Sequence, residues 1–419
     1  SRQLASALAA HGVGKNDTVS VMLPNIPPML EAHYGVPMCG AVLHSMNTRL
    51  DAAIIAFQID HAESKVLITD REFAPIVKAA LALCKSKPLV IDYDDLEFPQ
   101  QGERLGELDY EAFIASGSAD FAWQMPEDEW DAISLNYTSG TTGNPKGVLY
   151  SHRSTVLHTI VGNQPDALNI SARDTVLPVV PMFHVNAWGV PYIAAITGCK
   201  LVLPGPNLDG KSLVNLIDQT QTTLALGVPT IWMGLLGALA ETGSKVPSLT
   251  RTVIGGSALP PSMIPKFAAY GVDLIHAWGM TETSPLGSVN QLLQRHTGLS
   301  VDEQAAIRLG QGRPPYGVDL RVVDDAGALL PHDGAAQGDL QIRGPWIVDT
   351  YFGKDAPALT DDGWFDTGDV ATTDAEGFMI IRDRSKDIIK SGGEWISTVT
   401  LENVAISHPA IANAAAIAA

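Results

Sequence analysis

The sequence predicts an α/β protein: a large N-terminal domain of helix-covered β-sheets with a small β subdomain at its end. Two observations support this prediction. In residues 1–310, short apolar runs alternate with longer segments of helical spacing. In residues 311–381, short strands follow one another across turns rich in Asp and Gly, with little helix between them. We therefore treat residues 1–381 as one large domain with two parts.

The first part, residues 1–310, is predicted to contain parallel sheets covered by helices. Its predicted strands include Thr18–Leu23, Lys65–Thr69, Pro88–Tyr93, Ile133–Tyr137, Thr175–Val180, Lys200–Leu203, Thr222–Leu226, Arg251–Ile254 and Val272–His276. Its predicted helices include Pro28–Gly40, Ala52–His61, Phe73–Leu83, Val156–Asn163, Lys211–Gln219, Pro229–Ala240 and Pro260–Tyr270. Since such sheets bind ligands at the carboxyl ends of their strands, we expect the functional residues there.

The second part, residues 311–381, is predicted to form a small antiparallel sheet or a barrel-like subdomain. Its predicted strands are Val318–Val323, Gly338–Arg343 and Phe378–Arg382. The charged segment 382–387 follows the last of these strands, and we interpret it as an interdomain linker.

The composition excludes two broad classes of protein. Hydrophobic residues make up 46% of the 419 residues and charged residues 17%, which is far from a disordered composition. The 27 basic and 46 acidic residues give a net charge of −19, which would repel a nucleic-acid backbone. We therefore predict no nucleic-acid partner, and an anionic ligand would need a local cluster of donors.

The cysteines and the hydropathy pattern indicate a cytoplasmic protein. Cys39, Cys84 and Cys199 are odd in number and far apart, so they favour neither a disulfide framework nor a Cys-x-x-Cys metal site. The sequence has no run approaching 18 uncharged apolar residues, and its start does not resemble a signal peptide, so we predict no integral membrane segment. Because the chain begins without Met and ends in an Ala-rich stretch, we expect it to be a fragment.

The most specific stretch is the loop Tyr137–Val148, which combines hydroxyl groups, glycines and one lysine, and which we place between a strand and a helix. Glycines let backbone N–H groups turn toward an anion, hydroxyls donate to phosphate oxygens, and Lys146 supplies positive charge. Its spacing does not fit the Walker-type loop, because Lys146 is followed by Gly147. The alternative is a flexible linker.

This loop resembles the phosphate-binding signature of the AMP-forming adenylating enzymes, a superfamily that includes acyl-CoA ligases, firefly luciferase and peptide-synthetase adenylation domains. Further segments match the superfamily in order, and together they cover nearly the whole chain. They are Gly255-Gly256-Ser257-Ala258, His276-Ala277-Trp278-Gly279-Met280-Thr281-Glu282-Thr283, 362–369 and 383–396. Local features resemble the branch with medium-chain and methylmercaptopropionate acyl-CoA ligases.

The resemblance implies ATP, Mg²⁺ and CoA, a small-molecule carboxylate substrate and a possible homodimer. It assigns catalytic roles to Lys146, Thr281, Glu282 and Lys386, and metal binding to Glu282 and Thr142. It assigns ATP or AMP binding to Thr138, Ser139, Gly140, Thr141, Thr142, Gly143, Gly256, Ser257, Ala258, His276, Ala277, Trp278, Gly279, Asp369, Arg384, Lys390 and Trp395.

Several of these assignments also follow from side-chain chemistry. Glu282 at a strand end could hold Mg²⁺, although a surface Glu needs no role. Trp278 stands where the family usually has Tyr and could stack on adenine, or it could be a core residue. Asp369, at the end of a Gly-containing turn, could accept from two ribose hydroxyls, and Arg384 could donate to ribose or phosphate oxygens, unless it is solvated linker charge.

The prediction of residues that contact the acyl substrate rests on the segment Pro181–Trp188. This segment matches a family segment that borders the carboxylate and the acyl chain. It suggests His184 and Trp188 as substrate contacts, with a buried core Trp as the competing interpretation of Trp188.

The resemblance further implies that 382–387 is a hinge and that 388–419 is the beginning of a truncated, mobile C-terminal α+β domain whose catalytic lysine is missing from this chain. The prediction is therefore an AMP-forming acyl-CoA ligase for a fatty or other apolar carboxylate. The alternatives are an adenylation domain that loads a carrier protein and a nucleotide-binding scaffold without turnover.

Overall fold

In this computed structural model, the strands of the described residues form three β-sheets and a short β-ribbon. The structure describes residues 1–419 except 99–101, 124, 139–143, 387–388, 392–393, 399–400, 403–404, 406–410, 412–413 and 417–419. Within these described residues, no helix is both long and apolar enough to cross a membrane.

The first sheet has seven strands in the order β5-β4-β3-β1-β2-β6-β7. They are β1 Thr18–Met22, β2 Val42–Ser45, β3 Ser64–Asp70, β4 Leu89–Tyr93, β5 Leu108–Asp109, β6 Ala132–Tyr137 and β7 Gly147–Ser151. All pairs are parallel except β6 with β7, in which Tyr137 lies opposite Gly147. The loop 138–146 therefore closes a hairpin. Our placement of this loop directly before a helix was wrong, because the apolar strand β7 intervenes and pairs with β6.

The second sheet has six strands in the order β13-β12-β11-β10-β8-β9. They are β8 Thr175–Pro178, β9 Lys200–Leu201, β10 Leu224–Gly227, β11 Arg251–Ile254, β12 Asp273–Gly279 and β13 Leu286–Val289. The pairs are parallel except that of β12 with β13.

The helices lie between these strands, as the alternating pattern predicts. They are Arg2–Ala10, Pro27–Met38, Ala52–His61, Ala74–Leu83, Tyr110–Ala115, His152–Gly162, Val190–Thr197, Gly210–Thr220, Pro229–Thr242, Met263–Ala269 and Val301–Leu309. Several begin at side-chain caps; Asp51, for example, accepts from the Ile54 N–H. A large apolar cluster joins the first two sheets, with Val19 and Leu43 from one and Val176 and Val253 from the other.

The third sheet is antiparallel, in the order β14-β15-β16-β17. Its strands are β14 Asp319–Val323, β15 Gly338–Arg343, β16 Phe365–Thr373 and β17 Met379–Arg384. The sequence did not predict β16, and it placed Asp369 in a turn, whereas Asp369 is paired with Arg384 inside this sheet. Since β17 continues to Arg384, the predicted linker 382–387 begins inside a strand.

A ribbon of β18 Ile389–Ser391 and β19 Glu394–Ile396 follows. A further apolar cluster, which includes Ile133, Tyr150, Ile342, Trp346 and Phe365, joins the first sheet to the third. The carboxyl ends of β6 and β12 therefore lie beside β16, and the candidate site forms where the three sheets meet.

Candidate active site

A polar groove crosses the junction of the three sheets. Its wall includes Thr138, Asn144, Lys146, Thr281, Glu282, Tyr351, Thr367, Arg384 and Lys386. The base of the predicted anion loop is closed by two hydrogen bonds: the Thr138 N–H donates to the Lys146 carbonyl at 2.9 Å, and the Lys146 N–H donates to Thr138 Oγ1 at 3.0 Å. Ser139, Gly140, Thr141, Thr142 and Gly143 lie outside the described residues.

Tyr351 connects the two charged residues of the groove. Its hydroxyl donates to Glu282 Oε1 at 2.8 Å, and the Lys146 ammonium lies 4.4 Å from the centre of its ring. Burial and the neighbouring Glu282 carboxylate raise the pKa of Tyr351, so its hydroxyl stays protonated and remains a donor at neutral pH. Tyr351 therefore contacts both the Lys146 ammonium and the Glu282 carboxylate on one wall of the groove, the first through its ring and the second through its hydroxyl.

Thr281 and Glu282 lie in a 3₁₀ turn, Thr281–Thr283, directly after β12, as predicted for a strand end. Two contacts hold its backbone: the Tyr150 hydroxyl donates to the Thr281 carbonyl at 2.7 Å, and the Val348 N–H donates to the Glu282 carbonyl at 2.8 Å. Glu282 is only 7% exposed, so the interpretation as a freely solvated surface Glu does not apply.

The glycine before this turn has a steric reason. A Cβ at Gly279 would lie 1.7 Å from the Pro285 carbonyl oxygen, where no side chain fits. The close approach accompanies the reversal of the chain from β12 into its antiparallel partner β13.

A side pocket opens from the groove beside Trp278. Its wall includes Gly256, Ser257, Ala258, His276, Ala277, Trp278, Gly279, Asp369 and Arg384. The Trp278 indole N–H donates to Asp369 Oδ2 at 3.1 Å, and Arg384 Nε lies 3.1 Å from Asp369 Oδ1. Burial raises the pKa of Asp369 to about 6, against the opposing effects of Arg384 and Trp278. Three predicted site residues that are far apart in sequence thus form one network.

His276 is part of the same pocket wall, but its ring is engaged within the fold. Its Nδ1 lies 3.0 Å from the Leu309 carbonyl oxygen, and burial lowers its pKa to about 4. The neutral ring therefore donates to the Leu309 carbonyl, and it forms part of the wall of the side pocket.

An apolar cavity lies on the other side of Trp278, with an empty volume of about 540 Å³ including the part that opens to solvent. Its wall includes His158, Leu168, His184, Trp188, Val253, Ala277, Trp278 and Leu286. His184, Gly256, Gly279 and Met280 belong to the walls of both the cavity and the groove, so the two spaces adjoin. Trp188 is half-buried and lines this cavity while it also packs against the core.

The segment that carries Trp188 has an unusual backbone. Val185, Asn186, Ala187 and Trp188 have φ between 45° and 59°, and Gly189 follows at 80°. Four successive non-glycine residues in the left-handed region are costly, at about 1–2 kcal/mol each. Such backbone persists where surrounding contacts hold it; here the Asn186 amide donates to Ser134 Oγ at 3.1 Å.

Comparison with known proteins identifies this arrangement. A family model described as "AMP-binding enzyme" matches residues 1–352. The chain belongs to this family.

Similar proteins of known activity indicate the branch of the AMP-binding enzymes to which this chain belongs. The chain is 52% identical, over 99% of its length and 77% of the relative, to a 3-methylmercaptopropionyl-CoA ligase of Ruegeria pomeroyi. It is 54% identical, over 100% of its length and 77% of the relative, to a medium-chain-fatty-acid–CoA ligase of Ectopseudomonas oleovorans. Among solved structures, it matches the o-succinylbenzoate CoA synthetase of Bacillus subtilis with its acyl-adenylate intermediate at a TM-score of 0.81 and 25% identity, over 100% of this chain and 78% of that one. The chain is thus an AMP-forming acyl-CoA ligase, which uses ATP and CoA and makes an acyl-adenylate before the thioester.

One described residue of this AMP-binding enzyme, Glu282, has the chemistry of a Mg²⁺ ligand. The described residues contain no group of three or more His, Cys, Asp or Glu side chains that could hold a metal by themselves. Mg²⁺ at nucleotide sites is commonly held by one or two carboxylates together with substrate phosphates, and Glu282 supplies one buried carboxylate on the groove. Thr142, the other predicted ligand, lies outside the described residues.

The predicted hinge of the AMP-binding enzyme is partly anchored. The Ser385 hydroxyl donates to Asp339 Oδ1 at 2.8 Å, and its N–H donates to the Gly368 carbonyl at 2.9 Å. Lys386 is exposed on the groove wall. Lys390 and Trp395 lie on β18 and β19, and their side chains are outside the description.

The sequence missed two tyrosines of the site. Tyr351 precedes β16 in a stretch without periodic pattern, and Tyr150 lies on the unpredicted strand β7. Neither tyrosine lies at a sequence distance from Glu282 that would reveal its role. Only the folded structure brings Tyr351 to the Glu282 carboxylate and Tyr150 to the adjacent Thr281 carbonyl.

Proposed function

We propose that the polar groove binds the phosphates of ATP and that the side pocket binds its nucleoside. Lys146 and the hydroxyl loop would compensate phosphate charge. Trp278 offers a flat aromatic face at the pocket, and Asp369 with Arg384 offers an acceptor and a donor for the ribose hydroxyls. The observation that carries the proposal is that this polar groove and an apolar cavity adjoin and share four wall residues, His184, Gly256, Gly279 and Met280.

The apolar cavity would hold the acyl chain. Its lining of Leu168, Val253 and Leu286 suits a hydrocarbon. His184, exposed where the cavity meets the groove, is the residue we propose for the substrate carboxylate. We propose short- or medium-chain acids as the substrates.

Glu282 is the proposed Mg²⁺ ligand of this chain, and the metal ion would supply charge neutralisation at the phosphates. Tyr351 keeps the Glu282 carboxylate on the groove wall. The chemistry then needs positioning and charge compensation and no covalent nucleophile from the protein. A carboxylate oxygen attacks the α-phosphorus and pyrophosphate leaves; the CoA thiol then attacks the acyl carbon and AMP leaves.

We also propose that 382–387 acts as a hinge and that 388–419 begins a mobile domain. The anchoring of Ser385 to the third sheet supports a fixed start for such a hinge at Lys386. A cytoplasmic location is proposed as well, and it is supported by the free thiols of Cys39, Cys84 and Cys199.

A pyrophosphate-release assay across straight-chain acids of increasing length and thioether acids tests the substrate proposal. We expect release to depend on the acid, with an optimum at short or medium length, and the thioester to form only when CoA is added. A rate that does not change with the acid would contradict the assignment of the apolar cavity.

A further inference from the structure

His158 is a buried histidine of the apolar cavity that none of the proposed steps uses. It lies on the helix His152–Gly162, is 3% exposed, and lines the cavity together with Trp188 and Leu286. Its ring also packs edge-on against Trp346, with ring centres 5.8 Å apart. A buried polar ring in a mostly apolar wall needs an explanation.

The backbone of Leu286 determines which nitrogen of this ring carries the proton. The Leu286 N–H donates to His158 Nε2 at 3.2 Å, so Nε2 must present a lone pair. The backbone of Leu286 is also held at its carbonyl, to which the Trp346 indole N–H donates at 2.9 Å. Burial lowers the pKa of His158 to about 4, so the ring is neutral at pH 7. A neutral ring that accepts at Nε2 carries its hydrogen on Nδ1.

The Nδ1 edge lies against glycines and has no side-chain or backbone acceptor among the described residues. Among the described residues, no hydrogen bond of His158 other than that to Leu286 is found. Two glycines lie beside this edge: a Cβ on Gly189 would be 3.1 Å from Nδ1, and one on Gly162, which lines the cavity, would be 4.0 Å away. Gly189 also has φ of +80°. A side chain there is therefore disfavoured both by the backbone conformation and by the contact with the ring.

We propose that the Nδ1–H of His158 is a specificity-determining donor that selects acids with a hydrogen-bond acceptor in the acyl chain. An ether oxygen, a carbonyl oxygen or a thioether sulfur at the right position would accept from Nδ1, whereas a methylene would leave the donor buried and unpaired. This inference rests on the proposed function of the cavity. The relatives carry both kinds of name, for a thioether acid and for fatty acids, at nearly equal identity, so overall similarity does not decide between them.

The size of the selection follows from the cost of an unpaired buried donor. That cost corresponds to about fivefold to a hundredfold in affinity for an oxygen acceptor. Sulfur is a weaker acceptor, so the thioether should lie at or below the lower end of this range. Without the donor the preference for an acceptor should disappear, since a polar atom in an apolar cavity then loses hydration without gaining a partner.

The test measures the binding of acyl-adenylate mimics to the full chain by titration calorimetry, so that turnover is not required. The probes are 5′-O-(N-hexanoylsulfamoyl)adenosine and the analogues in which one methylene is replaced by oxygen or sulfur at successive positions. We expect one oxygen analogue to bind at least fivefold more tightly than the hexanoyl compound. A preference for the hexanoyl compound over every analogue would overturn the proposal.

Two variants separate a donor from a purely structural residue. In His158→Asn the amide N–H₂ stands near the place of Nδ1, so the preference for the acceptor should persist. In His158→Gln the amide oxygen can stand near the place of Nε2 and accept from Leu286, but the donor is gone, so the preference should disappear. Equal ratios in wild type and His158→Gln would contradict the proposal, even if both variants bind all probes more weakly.

Unacylated 5′-O-sulfamoyladenosine distinguishes a failure of the proposed function. If it binds as tightly as every acylated probe, the cavity is not the acyl site and both proposals fail together. If hexanoyl binding is tighter but insensitive to the acceptor, the acyl site stands and only the role of His158 is refuted.

Discussion

The polar groove and the apolar cavity meet at His184, yet they are built by different means. The groove collects its charged residues from the ends of regular strands: Lys146 directly before β7, Glu282 in the 3₁₀ turn that follows β12 and Arg384 at the end of β17. The cavity depends on the helix that carries His158 and on the left-handed backbone before Gly189. One region is therefore positioned by strand ends and the other by helix packing and irregular backbone.

This difference indicates where the two regions should tolerate change. Groove residues act by charge on a reaction common to all substrates, so substitutions there should slow every acid alike. Cavity residues act by shape and by one donor, so substitutions there should reorder the acids. The following predictions test this division, from the largest expected effect to the smallest.

Removal of either charged residue of the groove should have the largest effect. We expect Lys146→Ala and Glu282→Gln each to slow adenylate formation about a hundredfold or more, because loss of one preorganised charge-stabilising group costs on the order of 3 kcal/mol. Trapping the adenylate as an acyl-hydroxamate measures this step. Lys211→Ala, whose ammonium pairs with Glu241 on the surface, is the control and should keep the wild-type rate. Wild-type rates in either groove variant would refute the phosphate and metal assignments.

Tyr351→Phe should slow adenylate formation about tenfold to a hundredfold, since a hydrogen bond to a charged group is worth about 1.5–3 kcal/mol. The ring beside Lys146 is retained in this variant, while Glu282 loses its hydroxyl partner. Tyr351→Leu should be slower still, because the aromatic face under Lys146 is lost as well. The same hydroxamate assay applies, with the exposed Tyr316→Phe as the matched control. Equal rates in Tyr351→Phe and wild type would mean that Glu282 needs no support.

The affinity for AMP should fall about tenfold between pH 7 and pH 5, because a carboxyl with a pKa of about 6 is then about nine-tenths protonated. Since the pKa of Asp369 is raised, its charge is present above pH 6 and is lost as the pH falls through that value. A fluorescent AMP analogue titrated across this range gives the profile. Asp369→Asn should bind weakly and show no such change; a persistent change would assign the titration to another group.

Trp188→Ala should shift the preferred chain length rather than slow all acids equally. Each additional buried methylene is worth about 0.8 kcal/mol, or roughly fourfold in specificity. The kcat/KM profile across straight-chain acids measures the shift, and Trp130→Ala, exposed on the surface, is the control. A uniform decrease across all lengths would show that Trp188 serves the core alone.

The sequence was sufficient for the strand and helix pattern because that pattern is local. The run Arg251–Ile254 was predicted with its observed bounds, and so was the helix Ala52–His61. The strands that it missed include β2 and β5, which pair parallel with their neighbours, and β7, β13 and β16, which pair antiparallel. Their hydrogen bonds depend on partners distant along the chain or across a hairpin, and composition does not reveal these partners.

The amino-acid sequence by itself determined which polar groups are available to the site. Lys146, Glu282, Asp369 and Arg384 stand in short motifs whose chemistry suits a nucleotide, and the structure brings them to one groove and its side pocket. Short motifs carry this information because a charged side chain and the glycines that shape the backbone around it lie close together in the sequence. Only the tertiary structure decided that Tyr351 links Lys146 to Glu282 and that Leu286 orients the ring of His158. Each of these contacts joins residues at least 69 positions apart in the sequence, so the packed fold is what creates it.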